Sequence, residues 1–167
     1  SDVARRLNPR EVNKKVLENL AACGTFDELE PNRARAFAAI ESVLATANRH
    51  AEDRKAGQNA LFGEAEADDL VLPKVQPWPA GETLRREYEA AGFFLSGHPL
   101  DAYAGLLPKL RVTNWAKFSA AVKRGAEADR LAAVVLARAE RRTKPGSKMG
   151  IVQLSAPPGQ YEAILFQ

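Results

Sequence analysis

Apolar residues recur at helical spacing through the first third of the chain and predict a helical hairpin. Asn8, Pro9 and Glu11 have the form of a capping box with proline in the first turn, and Gly24 is typical of a helix end, so the first helix is predicted between them. A second helix is predicted from about Pro31 to about Lys55. The apolar stripes are Val12, Val16, Leu17, Leu20 and Cys23 on the first helix, and Phe37, Ile40, Leu44 and Ala47 on the second.

Helical spacing returns after a proline-bearing stretch. A third helix is predicted from about Glu82 to Leu95, with Gly97 as its cap, and Pro99 is expected to open a short helix. Thr113 is expected to cap one more helix, which ends at Gly125.

The apolar period changes from 3.6 to 2 after Arg130, which indicates strands. Three strands are predicted, at Leu131–Thr143, Met149–Ser155 and Tyr161–Phe166, with turns between them. A three-stranded meander with a basic first turn matches the opening of an OB-fold, which needs five strands. The predicted fold class is therefore α+β, helices followed by a partial OB-fold, and we expect the chain to be a fragment of a longer protein.

These elements divide the chain into four predicted regions. Residues 1–56 form a helical hairpin, 57–81 a linker, 82–128 a helical connector and 129–167 the truncated first half of the OB-fold. The linker is acidic and rich in proline, and Trp78, between two of those prolines, is expected to anchor it on a neighbouring surface.

Composition suits a soluble globular protein, with 46% hydrophobic and 27% charged residues. Apolar runs fall short of the roughly 18 residues of a membrane span, and the single cysteine, Cys23, favours a reducing cytoplasm. The net charge of +3 hides an asymmetry, because the basic excess lies within residues 101–167. A polyanion would be attracted there.

The sequence carries no recognisable catalytic or metal-binding constellation. His50 and His98 are the two histidines, and neither has cysteine or carboxylate at metal-ligand spacing. His98 follows a helix stop and precedes a proline, which favours a structural role. No catalytic residue, metal ligand or cofactor is therefore assigned to this chain.

One short peptide and one basic turn are the candidate binding sites. The peptide, held between Gly57 and Gly63, offers an adjacent apolar pair and a glutamine, as a linear docking motif requires. Its residues are Gln58, Asn59, Ala60, Leu61 and Phe62. The basic residues around the first β-turn are Arg138, Arg141, Arg142, Lys144 and Lys148. In an OB-fold this turn lines a groove that binds single strands, with stacking aromatics as partners, for which Tyr161 and Phe166 are candidates.

Several segments, taken in order, resemble the alpha subunits of bacterial DNA polymerase III, the C-family replicative polymerases. Residues 13–27 resemble the end of a helix-hairpin-helix region in that family, and the Gln-x-x-Leu-Phe peptide resembles its internal clamp-binding motif. Residues 77–87 resemble its next linker and helix, and residues 92–100, with the sequence Gly-Phe-Phe-Leu-Ser-Gly-His-Pro-Leu, resemble its most specific motif in this region. The three predicted strands resemble the first half of its OB domain.

The resemblance implies a role in DNA replication. It implies that the peptide docks on the sliding clamp, the beta subunit, with Gln58 at the pocket rim and Leu61 and Phe62 in the pocket. DNA, as single-stranded template, and other replicase subunits are the further partners implied, with no membrane. The reaction of the parent, DNA-directed DNA polymerisation, is implied to use Mg²⁺ in a palm domain that lies outside this chain.

Two features depart from the family pattern, and three alternatives stay open. The acidic hairpin at residues 23–28 argues against phosphate binding there, and the OB-fold is incomplete. The chain could instead be a non-enzymatic adaptor that binds single-stranded DNA and docks on a clamp, or a helical scaffold in which Leu61 and Phe62 are buried. An error-prone paralogue of the same polymerase family is the third alternative.

Overall fold

The structure is a computed structural model, and it describes residues 2–55, 70–142, 146–157 and 159–166. The predicted docking peptide, residues 58–62, and Lys144 lie outside these ranges. The chain divides into two compact units, an N-terminal unit, Ser1–Leu95, and a C-terminal unit, Ser96–Gln167.

The N-terminal unit is helical. Its helices are α1 (Asp2–Arg6), α2 (Lys14–Ala22), α3 (Arg33–Ala38), α4 (Ile40–Lys55) and α5 (Ala80–Ala91). The helix predicted from Pro31 to Lys55 is two helices, because it is interrupted at Ala39, the C-cap of α3.

The first predicted helix begins later than its capping box suggested. Asn8 makes a turn instead, since its side-chain oxygen accepts the N–H of Arg10, two residues on. Asn13 is the cap of α2, because its Oδ1 accepts the N–H of Val16 at 3.0 Å. The prediction of a cap at Asn8 was therefore wrong, although a helix does follow and its last turn ends at Gly24.

The core of the N-terminal unit lies between α2 and α4. Leu17, Ala21 and Ile40 are almost fully buried and are surrounded by partly buried apolar side chains, among them Phe26 and Phe37. Val16 and Leu20, placed on the buried stripe from sequence, are 41% and 38% exposed. The buried face of α2 therefore differs from the predicted stripe by a rotation of about one residue about the helix axis, and it is centred on the alanines. Small side chains permit close helix packing on that face.

Gly24 ends α2 in a Schellman motif. Its φ of 82° is left-handed, its N–H donates to Ala21, and the N–H of Thr25 donates to the Leu20 carbonyl. A Cβ at position 24 would lie 2.3 Å from the Arg33 guanidinium, so glycine is required here by both conformation and space.

The C-terminal unit combines short helices with a sheet. Pro99–Tyr103 and Leu107–Leu110 are 3₁₀ turns, and α6 spans Trp115–Lys123. Asn114, rather than the predicted Thr113, caps α6, because its Oδ1 accepts the N–H of Lys117 at 2.9 Å. Thr113 instead makes an isolated parallel bridge to Leu131.

Three antiparallel strands form a meander in the order β1, β2, β3. They span β1 Val134–Arg142, β2 Lys148–Ala156 and β3 Gly159–Phe166, close to the predicted ranges. An irregularity between Val135 and Ala137 shifts the register of β1 on β2. The α+β class and the three-stranded sheet are confirmed, and its reading as an OB-fold remains an interpretation.

Among the described residues, every helix is too short or too polar to span a bilayer.

Candidate nucleic-acid interface

The predicted basic residues are distributed over both faces of the sheet. Arg142 pairs with Lys148 in register, so their side chains share one face. Arg138, which pairs with Val152, is four residues from Arg142 in the same strand, and its side chain therefore lies on that face too. Arg141 is separated from Arg142 by one residue, so its side chain belongs to the opposite face. All four side chains are exposed. The first face therefore groups three of the five predicted residues.

This first face carries one acidic side chain. Glu140 lies between Arg138 and Arg142 in the alternation of β1, and the Lys148 ammonium lies 3.1 Å from its carboxylate. Both partners are more than half exposed, so the pair contributes little to stability. It does lower the net positive charge that the face presents. Next to it an open concavity is lined by residues of all three strands, including Gly150 and Leu165.

The two aromatic candidates have different surroundings. The Tyr161 ring stacks on Trp115 of α6 with centroids 4.2 Å apart, and its buried hydroxyl has no hydrogen-bond partner. Burial raises the pKa of this phenol. Phe166 is 75% exposed, and its register partner Met149 pairs in turn with Arg141. Tyr161 is thus a packing residue, whereas Phe166 and Arg141 share the second face.

The hairpin after α2 is closed by an ion-pair network that the sequence did not reveal. Arg33 is only 18% exposed and binds Asp27 at 2.8 Å and Glu87 at 2.7 Å. The Glu87 side chain is fully buried, and its second oxygen accepts the Leu95 N–H at 2.8 Å. The hydrogen bonds that Arg33 donates to Asp27, and then to Glu87, raise the pKa of Arg33, while burial opposes them. Fifty-odd positions separate Arg33 from Glu87, so local sequence gave no indication of the contact.

This network determines what the hairpin can bind. The N–H groups of Gly24 and Thr25 are engaged by the end of α2, and the Asp27 carboxylate lies beside them. Free backbone N–H groups are what a helix-hairpin-helix offers to phosphate. The Gly24 and Thr25 N–H groups are therefore not free to bind a phosphate.

Residues 70–79, the strap, form neither helix nor strand and are hydrogen-bonded to the helical N-terminal unit. Asn32 donates to the Val75 carbonyl at 2.8 Å, and Arg35 donates to the Pro73 carbonyl at 3.2 Å. The Trp78 ring meets Phe37 edge-on at 5.5 Å, and the Arg86 guanidinium lies 4.3 Å from the Trp78 centroid. The expectation that Trp78 anchors the linker is confirmed.

His98 has the structural role expected of it. Its Nδ1 accepts the Leu100 N–H at 3.1 Å, so in this tautomer the proton is on Nε2, which lies 3.0 Å from the Ser155 hydroxyl. Its ring thereby caps the first 3₁₀ turn, while Asp101 completes the capping box. The helix α5 stops before this point, at Gly92 with φ 81°, and not at the predicted Gly97.

The residues that the structure describes contain no group of three or more histidine, cysteine, aspartate or glutamate side chains that could hold a metal ion.

Comparison with known proteins finds similarity over part of the chain to a family model and over nearly all of it to named proteins. A family model described as a helix-hairpin-helix motif matches residues 1–36. DNA polymerase III subunit alpha of Caulobacter vibrioides is 40% identical over 98% of this chain, and the same subunit of Vibrio cholerae is 32% identical over 99%. The chain is homologous to one segment of the DNA polymerase III alpha subunit. The protein of Escherichia coli K12 is likewise 32% identical over 99% of the chain.

The homology covers essentially the whole chain, but the chain spans only 14% of the length of these curated relatives. The resemblance to the DNA polymerase III alpha family, based on short motifs, is thereby confirmed. The docking peptide falls within the aligned range, which extends over nearly every residue.

Proposed function

We propose that this chain is the part of a bacterial DNA polymerase III alpha subunit that attaches the enzyme to its sliding clamp and positions DNA. The observation that carries the proposal is homology to that subunit over 98–99% of the chain. The parent would synthesise DNA on a template in the cytoplasm with the other replicase subunits. Nucleotidyl transfer and its Mg²⁺ would belong to a palm domain encoded elsewhere in the subunit.

Clamp attachment is assigned to Gln58–Phe62. Leu61 and Phe62 would fill an apolar pocket of the clamp, while Gln58 would hydrogen-bond at its rim. The described residues support this by fixing the chain on both sides: α4 extends to Lys55, and the strap begins at Leu70. A weak peptide attached to an enzyme already on DNA acts at high effective concentration.

DNA positioning is assigned to the basic face of the sheet. Arg138, Arg142 and Lys148 are exposed on this face and would track the backbone of a single strand with little sequence preference. Lys144, which lies between β1 and β2 in the sequence, would extend this surface. Arg141 and the exposed Phe166 offer a charge and a stacking ring on the opposite face.

The proposal is tested by titrating the chain with purified bacterial sliding clamp. The double variant Leu61→Ala/Phe62→Ala should lose at least about 2 kcal/mol of binding, or roughly thirtyfold in affinity, because the anchors of a docking peptide carry most of its energy. A matched control exists in Leu29→Ala/Phe93→Ala, since both of these side chains are exposed on the N-terminal unit.

Equal affinity of wild type, test variant and control would contradict clamp docking through residues 61 and 62. Loss of binding in the control as well would show that the clamp recognises another surface. Binding that collapses only in the test variant would support the proposal.

A further inference from the structure

The C-terminal unit has almost no apolar core of its own. Within the part of it that the structure describes, Ala156 is the one apolar side chain that is almost fully buried, at 5% exposure. The N-terminal unit, by contrast, buries Leu17, Ala21 and Ile40 in one cluster. Burial of apolar surface is the main force that offsets the loss of conformational entropy on folding. The C-terminal unit is therefore expected to gain apolar contacts from outside itself.

The two 3₁₀ turns at the start of this unit carry an exposed apolar surface. Residues 101–111 are all exposed with the exception of Leu107. Among them Tyr103 is 56% exposed, Leu106 47% and Leu110 49%. Soluble proteins rarely leave large apolar side chains exposed in contiguous groups, so a group of this kind indicates a contact with another surface.

These three large side chains occur at the spacing of neighbours on one helical face. Tyr103 and Leu106 are three positions apart, and Leu106 and Leu110 are four. The backbone turns at both steps, since the Leu106 N–H donates to the Tyr103 carbonyl at 2.8 Å and the Leu110 N–H donates to the Leu106 carbonyl at 3.3 Å. Tyr103, Leu106 and Leu110 thus form one apolar surface, the turn face.

The segment that carries the turn face is fixed to the C-terminal unit at both ends. At its start, Nε2 of His98 lies 3.0 Å from the Ser155 hydroxyl. At its end, the Thr113 N–H donates to the Arg130 carbonyl at 2.8 Å. The turns between these points are short, as 3₁₀ turns usually are. The turn face therefore has a defined place on the unit, which a docking surface requires.

The chemistry of the turn face favours a partner on the same polypeptide. Residues 99–112 include only three charged side chains, so a partner that dissociates would leave an apolar surface in water. A partner on the same chain is present at high effective concentration at all times. The chain spans only 14% of the length of its curated relatives, so in a subunit of that kind most of the polypeptide is available to cover the turn face.

We propose that the turn face packs against another part of the same alpha subunit, outside residues 1–167, and that this contact completes the apolar core of the C-terminal unit. The proposal rests on the proposed function, which makes the chain one segment of that subunit. The covering surface would consist of aliphatic and aromatic side chains, with a hydrogen-bond partner for the Tyr103 hydroxyl.

Hydrogen exchange read by mass spectrometry tests this by comparing the chain with the complete alpha subunit that contains it. Residues 99–112 should exchange at least about tenfold more slowly in the complete subunit, because their turns open less often once they are covered. The loop at residues 127–130 is a matched control in the same unit, since it is exposed and mostly charged, and its exchange should stay the same.

Substitutions separate docking from the stability of the chain itself. Leu106→Ser/Leu110→Ser should leave thermal unfolding of the chain nearly unchanged, because both side chains are about half exposed there. In the complete subunit the same variant should return the exchange of residues 99–112 to the rate seen in the chain. The control Leu29→Ser/Val71→Ser removes two exposed apolar side chains from the N-terminal unit and should leave that exchange slow.

Equal exchange of residues 99–112 in the two proteins would overturn the proposal. Slow exchange in the chain alone that is lost on dilution would show that a second copy covers the turn face. Slowing that requires another replicase subunit would show that a separate protein covers it, and either result overturns the choice of partner. Clamp titration does not depend on these outcomes, so failure of the turn face is distinguishable from failure of the proposed function.

Discussion

At the scale of single residues, Glu87 has the most demanding environment in the described chain. It is a fully buried carboxylate whose charge is compensated by Arg33 and by the N–H of Leu95. Such a group stabilises a fold only while its partners are present, since removal of one leaves the other without compensation. Its contribution is to hold the segment after α5 against the hairpin.

Glu87→Ala should therefore lower the free energy of unfolding of the N-terminal unit by about 3 kcal/mol. Urea denaturation measures this in a Trp115→Phe background, where Trp78 is the remaining tryptophan and reports on this unit. Glu87→Gln should cost less, because the amide oxygen still accepts from Leu95. The control Glu89→Ala, which is 57% exposed, should change stability by less than about 0.5 kcal/mol; a comparable loss there would contradict the prediction.

His98 is predicted to make the stability of the C-terminal unit depend on pH. Burial lowers the pKa of its imidazole from 6.5, while Asp101 partly opposes this effect. Because the folded pKa is the lower one, the stabilisation is complete above the unfolded pKa and is lost as the pH falls from there through the folded pKa. Protonation of Nδ1 would also remove the acceptor of the Leu100 N–H.

His98→Asn should retain the cap, because asparagine is a good N-cap, and should reduce the fall in unfolding free energy below about pH 6.5. The measurement is denaturation over pH 5 to 8, read from Trp115 in a Trp78→Phe background. An unchanged pH dependence in the variant would show that another group is responsible.

At the scale of elements, the strands and the buried stripe that holds Ile40 and Ala47 were predictable, and the buried face of α2 was not. Runs of valine and isoleucine between turn residues have few alternatives to a strand, so β1 to β3 fall close to expectation. The buried face of α2 was misjudged because it is made of alanines, Ala21 and Ala22, which carry little hydrophobic weight in a periodicity. Either Asn8 or Asn13 could serve as the N-cap of α2, and the sequence alone does not show which of them does.

The partition of the basic residues could have been predicted from their spacing. Arg138 and Arg141 are three positions apart in one strand, and an odd separation places side chains on opposite faces. The pairing of Lys148 with Glu140 required knowledge of the turn register, which the sequence does not fix.

The sheet face yields a prediction of its own. Glu140→Gln should increase affinity for single-stranded DNA severalfold and steepen its salt dependence by roughly 0.7, because Lys148 would gain a phosphate in place of the carboxylate. Fluorescence anisotropy with a labelled single strand measures both quantities. Glu127→Gln removes the same charge from the loop after α6, and an equal gain there would show that only net charge matters.

At the scale of the whole molecule, the main result of folding is a redistribution of charge. The sequence showed one basic region, in residues 101–167, and the structure adds a second, because it gathers arginines from α1, its following turn and α4. Contacts between residues far apart in the chain, such as Arg54 with Arg5 or Arg33 with Glu87, are set by tertiary packing. Short motifs were enough to indicate the resemblance to the DNA polymerase III alpha family, whereas these contacts became visible only in three dimensions.

The strap has a mechanical consequence. Under the proposed clamp docking, a load on the clamp-bound enzyme would reach the strap at Leu70. The strap is attached at the Pro73 carbonyl by Arg35, at the Val75 carbonyl by Asn32 and through the ring of Trp78, and all three attachments lead to helices of one unit. Such a load would therefore be resisted at several separate points along the strap.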